Sequence, residues 1–498
     1  MKEGEETIMI DLTIHEQALQ KSIQHARERG IIIPTYAQMR DPALIPEQIK
    51  SRLRQVGLWD VDSLNLFRIN WHNEPADKGG LFGGVNYVEF PPALTGVPAR
   101  IVALAGKWFP TGCHKVGASY SCLVTRLITG QFDPTYHKAA WPSTGNYCRG
   151  GAYNSALLGC HSIAILPEGM SRERFEWLRS IAGEIIATPG CESNVKEIFD
   201  KVHELRATRP DVMIFDQFAE LANCLWHYHV TGPALREAFK AVGGAKGRLA
   251  GICLTSGSAG TLSAGAYIKD NYPHAKLAAC EALQCPTLLN NGFGDHRIEG
   301  IGDKHVPWIH NVKSNDLVID IDDEYSCSLL RLFNEEPGRQ YLRGELDLDQ
   351  DFVDKLSWLG ISGISNVLAA IKFAKYYELG ADDVVATVLT DSAAMYGSRL
   401  EEMSAAKGAY APLRAACDHE RFMLGISTDN MEELTYTAKK RVHNLKYYTW
   451  VEQQGKTVEE LNAQWYEHDE YWQGMHAQVA QVDTLINEFN KRVGITSD

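Results

Sequence analysis

Short apolar runs rich in β-branched residues alternate with longer amphipathic stretches through the middle of the chain. The runs Ile101 to Ala105, Ile163 to Leu166, Glu184 to Thr188, Val212 to Phe215, Leu249 to Leu254, Leu277 to Cys280, Leu317 to Ile321 and Val384 to Leu389 predict strands. Runs that are apolar on both faces suit parallel strands covered by helices on each side. Between them, Ser171 to Ala182, Asn194 to Ala207, Pro233 to Ala241 and Ser365 to Tyr377 carry helical spacing. Strand, helix, strand in repetition predicts open α/β sheets, whose ligands sit at the carboxyl ends of strands. Residues 1 to 95 mix helical pattern with Pro- and Gly-rich loops and show no readable chemistry. The last hundred residues predict helices: Thr457-Val-Glu-Glu460 is a capping-box pattern, and Trp465, Trp472, Met475, Val479, Val482, Ile486 and Phe489 recur mostly every three or four residues. That stripe is expected to pack on its own domain.

The chain has 498 residues and a formal net charge of −14, which argues against a general nucleic-acid binder and against an anionic membrane surface. No secretory signal is expected, because the first residues are acidic and lack a basic segment followed by an apolar run. No stretch approaches the roughly 18 uncharged apolar residues of a membrane span. The 11 cysteines lie at irregular intervals with no C-x-x-C, so reduced, mostly buried thiols in a cytoplasmic protein are expected, without a metal or a disulfide framework.

Three motifs carry chemistry. Thr111-Gly112-Cys113-His114-Lys115-Val116-Gly117-Ala118 follows the first strand and leads into an apolar helix; a lysine at such a turn suits Schiff-base chemistry. Pro142-Ser143-Thr144-Gly145-Asn146-Tyr147 precedes a helical segment from Gly151 to Gly159. Hydroxyls and unsatisfied backbone N–H groups at a helix start bind carboxylates. Thr255-Ser256-Gly257-Ser258-Ala259-Gly260-Thr261 joins a strand to the helical Leu262 to Ile268, the arrangement that cradles one phosphate monoester. It has neither the lysine of a Walker loop nor the G-x-G-x-x-G spacing of a dinucleotide site. Lysine, carboxylate-binding helix start and phosphate cup together describe pyridoxal 5′-phosphate. Gly360-Ile361-Ser362-Gly363, placed before the helix expected at 365 to 377, offers Ser362 as a neutral partner for the ring nitrogen, which favours α,β-elimination over transamination.

The order of motifs resembles the fold type II pyridoxal phosphate enzymes, in particular the cysteine synthase and cystathionine β-synthase branch. Leu166-Pro167-Glu168-Gly169-Met170-Ser171-Arg172-Glu173-Arg174 is similar to that family's P-E-x-M-S-x-E-R segment, and Thr231-Gly232-Pro233, Gly300-Ile301-Gly302 and Gly360-Ile361-Ser362 fall in the family's order. Thr111-Gly112-Cys113-His114-Lys115 looks more like the T-G-x-H-K of tryptophan synthase β chains. A late P-S-S-x-E-R-Y segment is here Thr390-Asp391-Ser392-Ala393-Ala394-Met395-Tyr396.

The resemblance implies two open twisted α/β domains with the cofactor in the cleft between them and helical extensions at both ends. The expected division is a partly helical extension over 1–95, the core with the lysine and asparagine loop over 96–225, the phosphate-binding core over 226–400, and a helical extension over 401–498. Lys115 would carry the cofactor and remove the substrate Cα proton, and Asn146 would meet the phenolic oxygen. Ser143, Thr144, Gly145 and Gln217 would bind the substrate carboxylate. Gly257, Ser258, Ala259, Gly260 and Thr261 would hold the phosphate, and Ser362 the ring nitrogen. The implied reaction is β-elimination or β-replacement on an amino acid with a Cβ leaving group, through an aminoacrylate, in a homodimer or larger homo-oligomer. A serine/threonine dehydratase-like ammonia-lyase and a non-catalytic cofactor-binding or regulatory protein remain open alternatives. Arg149 is a candidate selector of an acidic or phosphorylated substrate side chain, against a surface salt bridge. Cys113 is expected to pack rather than react, and His227 and His229, two apart on a helix, are not expected to share a ligand.

Overall fold

The computed structural model describes residues 9–75, 79–190 and 194–494; the acidic residues 1–8 and Cys191 lie outside them. It contains two sheets. The larger has seven strands in the order β1 (Tyr87–Phe90), β2 (Arg100–Ala105), β10 (Asp383–Leu389), β7 (Arg248–Thr255), β8 (Lys276–Ala282), β9 (Leu317–Ile321) and β11 (Met431–Glu433). The smaller runs β5 (Glu184–Thr188), β4 (His161–Pro167), β3 (Lys138–Pro142) and β6 (Val212–Ile214). Pairing from β2 through β9 is parallel, and only β1 and β11 join the large sheet antiparallel. The small sheet is parallel throughout.

All eight expected strands form, and three more appear. The most consequential is β3, Lys-Ala-Ala-Trp-Pro, an inner strand of the small sheet whose carboxyl end delivers Ser143. It has no β-branched residue, which is why apolar patterning passes over it. Two helices begin earlier than glycine content suggests. The helix expected from Gly151 spans Asn146–Leu157, and the one expected from Ser365 spans Ile361–Tyr376, so Ser362 lies on the helix rather than before it. In both cases the glycine is a packing residue, not a breaker: a Cβ at Gly151 would overlap the Trp141 indole, and one at Gly363 would press on Leu389.

The capping box at Thr457 and Glu460 forms, and the C-terminal stripe is buried through Trp465, Trp472, Met475, Val482, Ile486 and Phe489. The last helix, Val479–Val493, meets the N-terminal helix Glu16–Arg29, where Arg27 Nε donates to Val493 O at 3.0 Å. Asp483 accepts from Tyr36 N at 2.7 Å, while Tyr120 of the helix Lys115–Thr129 donates to Pro34 O at 2.5 Å. The two extensions thus join each other and brace the helix that Lys115 begins. No single helix among the described residues is long and apolar enough to cross a membrane.

Candidate active site

Four strand ends converge. The chain leaving β2 reaches Lys115 as the first residue of its helix; β3 leads into Ser143–Gly145; β7 leads into the 256–259 loop; β10 leads to Thr390 and Asp391. This is where parallel α/β sheets place ligands, because the loops there are free to vary while the strands fix their roots.

Lys115 Nζ donates to Ser258 Oγ at 2.9 Å and to Gln217 Oε1 at 3.3 Å, so the lysine from one motif touches the loop of another. Lys115, Thr255, Gly257, Ser258, Ala259 and Thr261 line one small cavity. The loop is held tightly. Ala259 adopts φ 65°, a left-handed conformation uncommon outside glycine. A Cβ at Gly257 would lie 2.7 Å from Gly300 O, and one at Gly260 would overlap Asn223 Oδ1. Asn223 Nδ2 in turn donates to Ser258 Oγ at 3.1 Å and Gln217 O at 3.0 Å. The helix Gly260–Asn271 begins at the cavity and turns its first N–H groups toward it.

The same wall carries two buried imidazoles. His114 and His227 rings lie 5.2 Å apart, and neither nitrogen of His114 has a hydrogen-bond partner among the described residues. Burial, reinforced by the Lys115 charge, pushes His114 down to about 3; burial likewise lowers His227 well below the usual histidine value. Burial thus favours the neutral imidazole in both. His229 bonds His476 O at 2.8 Å, whereas His227 faces His114 and bonds Thr231 Oγ1 at 3.0 Å. Nearby, burial pushes the Asp303 carboxyl up to about 7, with Lys115 pulling it back.

Across the cleft, Asn146 starts its helix after Gly145, whose φ of 147° excludes other residues; a Cβ there would also lie 2.6 Å from Arg174 Cδ. Ser143 Oγ accepts from Gly145 N at 3.1 Å, which closes the loop into a compact turn ahead of the helix N-terminus. Asn146 Nδ2 donates to Asp391 Oδ2 at 2.8 Å, and its Oδ1 accepts from Arg149 at 3.2 Å. Arg149 also donates to Thr111 O at 2.8 Å and lies 4.7 Å from the Trp177 ring. It is 2% exposed, so the surface-salt-bridge reading fails, and its bonds are to the asparagine and the lysine loop.

A buried ion network completes this side. Arg174 pairs with Glu299 at 2.5 Å and with Asp391 at 3.5 Å, donates to Tyr396 Oη at 3.0 Å and to Thr144 O at 3.2 Å. Arg399 pairs with Glu299 at 2.6 Å. Burial raises the Asp391 carboxyl, and Arg174 with hydrogen bonds from Asn146 and Tyr396 opposes that rise. The roles of Arg174, Glu299, Asp391 and Asp303 were not assigned from the sequence, because each needs partners from a distant segment. Cys113 is buried and pushed up to about 12, which suits packing.

The constellation brings Lys115, Gln217 and the 257–261 cup together directly, and Arg149 ties Asn146 to the loop that carries Lys115. It leaves several buried polar atoms without partners among the described residues: both His114 nitrogens, Ser362 Oγ, Asp391 Oδ1 and Asn223 Oδ1. Buried groups of this kind are costly unless a ligand satisfies them. A phosphate monoester joined to a polar aromatic ring fits the set, with backbone N–H groups and hydroxyls at one end and an amide and carboxylate at the other.

Comparison with known proteins agrees. Residues 109–339 match the family described as pyridoxal-phosphate dependent enzyme. A cysteine synthase of Staphylococcus aureus is 30% identical over 256 residues, covering 51% of this chain and 74% of that protein. The cystathionine beta-synthase of Saccharomyces cerevisiae is 26% identical over 314 residues, covering 61% of this chain and 58% of that protein. In fold, the chain is similar to the O-acetylserine dependent cystathionine beta-synthase of Helicobacter pylori, with TM-score 0.53 and 24% identity over 64% of this chain and 95% of that one.

Proposed function

The chain belongs to the pyridoxal-phosphate dependent enzyme family, and from that premise we propose that it catalyses β-elimination or β-replacement on an amino acid bearing a leaving group at Cβ. Its cofactor is pyridoxal 5′-phosphate, which when bound supplies an electron sink for negative charge developing at the substrate Cα. In this reading the residues 257–261 and the start of the helix Gly260–Asn271 hold the phosphate through backbone N–H groups and hydroxyls. Asn146 meets the phenolic oxygen, and Ser362 meets the ring nitrogen. Ser143, Thr144 and Gly145, at the N-terminus of the helix Asn146–Leu157, receive the substrate carboxylate, with Gln217 completing the set.

Lys115 Nζ is the proton carrier. It takes the proton from Cα; the Cβ leaving group departs with its bonding electrons. In replacement, a nucleophile then bonds to Cβ and Nζ returns the proton to Cα. The supporting observation is the pair of contacts from Lys115 Nζ to Ser258 and Gln217, which put one amine within reach of both the cup and the carboxylate side. The resemblance to the cysteine synthase branch supports a core over 96–400 acting as a homodimer or larger assembly in the cytoplasm.

Lys115→Ala tests the reading. The variant should lose the visible absorbance of the lysine-bound cofactor and turnover together, while a variant with full activity defeats the assignment. A panel of serine, threonine, O-acetylserine, O-phosphoserine and cysteine, assayed with and without added thiol, reads the leaving group and separates replacement from elimination.

A further inference from the structure

A cavity of about 550 Å³ lies beside the edge strand β6, separate from the one Lys115 lines, and every part of the chain helps to build it. The N-terminal extension supplies Ile10 and Asp11, the core supplies Arg206 and Asp216, and the C-terminal extension supplies Trp450 and Lys456. Its N-terminal wall is anchored. Gln478, just before the last helix, donates to Ile10 O at 2.9 Å and accepts from Ile10 N at 3.1 Å. The volume is that of a small-molecule site. We propose that this cavity binds a free α-amino acid with an apolar side chain and transmits its presence to the active site through Gln217.

The lining selects the ligand. Three cations, Arg126, Arg206 and Lys456, stand among three carboxylates, Asp11, Asp216 and Glu220, and burial keeps His137 neutral, so the cavity favours neither a net anion nor a net cation. Arg126 is engaged by Glu220 in a close pair. The others are available. Arg206 and Asp216 have no ion pair among the described residues, and Lys456 has only a loose one to Glu460 at 3.6 Å. Asp216 is buried and accepts from Phe218 N at 2.9 Å. Burial pushes its carboxyl up to about 6 while Arg206 and Lys456 pull it back, so both cations act on the same carboxylate. An α-amino acid matches this set: its ammonium meets Asp216 and its carboxylate meets Arg206 and Lys456, each through charge-assisted hydrogen bonds. Pro210, Met213 and Trp450 leave an apolar wall for its side chain.

Asp216 and Gln217 are consecutive, and they serve different cavities. Asp216 lines this one, whereas Gln217 Oε1 accepts from Lys115 Nζ at 3.3 Å. Phe218 N holds the Asp216 carboxylate, and Asn223 Nδ2 holds Gln217 O at 3.0 Å. A ligand that draws on the Asp216 carboxylate therefore acts on the backbone that positions Gln217, without touching the substrate. The binding site stands apart from the pyridoxal phosphate reading, and only its effect on catalysis rests on it.

Isothermal titration calorimetry of the full-length holoenzyme with L-leucine, L-methionine and L-phenylalanine tests the site. At least one should bind, and Arg206→Ala and Asp216→Asn should each weaken that binding by about tenfold or more, the loss expected for a charge-assisted hydrogen bond. Analogues of the bound amino acid that lack either the amine or the carboxylate should weaken by a similar factor. Arg206 is exposed, so its variant decides alone if Asp216→Asn does not fold. Binding of none of the three overturns the inference, as does binding undiminished in Arg206→Ala, which would put the ligand elsewhere. Saturating ligand should change the substrate KM more than kcat, and an unchanged KM overturns the link to Gln217. A protein that binds these amino acids through Arg206 but shows no visible absorbance of a cofactor defeats the family reading and leaves the site standing, whereas a cofactor-bearing protein without Arg206-dependent binding defeats only this inference.

Discussion

On the cup side of the cleft, Lys115 works among neutral groups: the hydroxyls and backbone N–H groups of 255–261, the amide of Asn223, and the imidazoles of His114 and His227, both held uncharged by burial. The opposite side gathers buried Arg149, Arg174, Glu299 and Asp391, with the partly exposed Arg399 pairing with Glu299 at the rim. In the proposed reading the cup receives a charge that arrives with the ligand, and its donors, carrying only partial charges, stay cheap to bury without it. The far side brings its own charges, and Arg174 and Arg399 compensate Glu299 and Asp391 directly while Arg149 is held by neutral oxygens. Attraction between such groups strengthens as water is excluded, yet so does the cost of leaving one unpaired. The difference predicts that the far side is a stability element as well as a binding surface, and that the cup is chiefly a binding surface.

The largest effect should come from breaking the far side. Arg174→Met leaves Asp391 and Glu299 buried beside one fewer cation and should destabilise the fold by about 3–5 kcal/mol, read as a shift in the urea midpoint. An unchanged midpoint would erase the contrast between the two sides. On the cup side, Asp303 carries the next effect. Its folded pKa, about 7, stands above the ordinary carboxylate value. Its contribution is therefore full below the ordinary value and is lost as pH rises through 7, where the unfolded chain releases the proton more readily. Asp303→Asn should match the wild type in stability near pH 4 and exceed it by about 1–3 kcal/mol at pH 8. Equal stability of the two proteins at both pH values would show that the carboxyl is not held protonated by burial. Gly260→Ala should act on both stability and binding. The added methyl displaces Asn223 from Ser258, at a cost of about 1–3 kcal/mol, seen as a lowered unfolding midpoint, by less than in Arg174→Met, together with weaker cofactor affinity.

The same division explains what could be read from the chain. The 111–118, 142–147 and 255–261 motifs were legible because each is contiguous and each follows a strand end, so local pattern alone announces it. The helix starts at Asn146 and Ile361 were displaced by glycines that pack against Trp141 and Leu389, contacts invisible without the fold. The strand β3 lacked β-branched residues and was passed over despite its inner position. The ion network could not be assembled from the sequence at all. Asn146 and Asp391 stand 245 residues apart, and Arg174 and Tyr396 stand 222 apart. A buried charge is recognised by its compensation, and here that compensation comes from segments more than 200 residues away.

The smallest effect sets the scale for the rest. Arg172 sits two residues before Arg174 on the helix Arg172–Arg179 and pairs with Glu401 at 3.3 Å, but the two side chains are 55% and 67% exposed. Water and salt screen such a pair, and holding two long side chains together costs entropy. Arg172→Met should therefore cost only about 0–1 kcal/mol, and that cost should shrink further in 1 M salt, roughly a 3 Å screening length. The Arg174→Met penalty should persist in the same salt, because its partners are shielded from ions by the protein itself. Two arginines on one turn of helix, each paired across the cleft, thus isolate burial as the variable. If salt lowers both penalties in the same proportion, the far side is solvated, and the contrast with the cup no longer rests on buried charge.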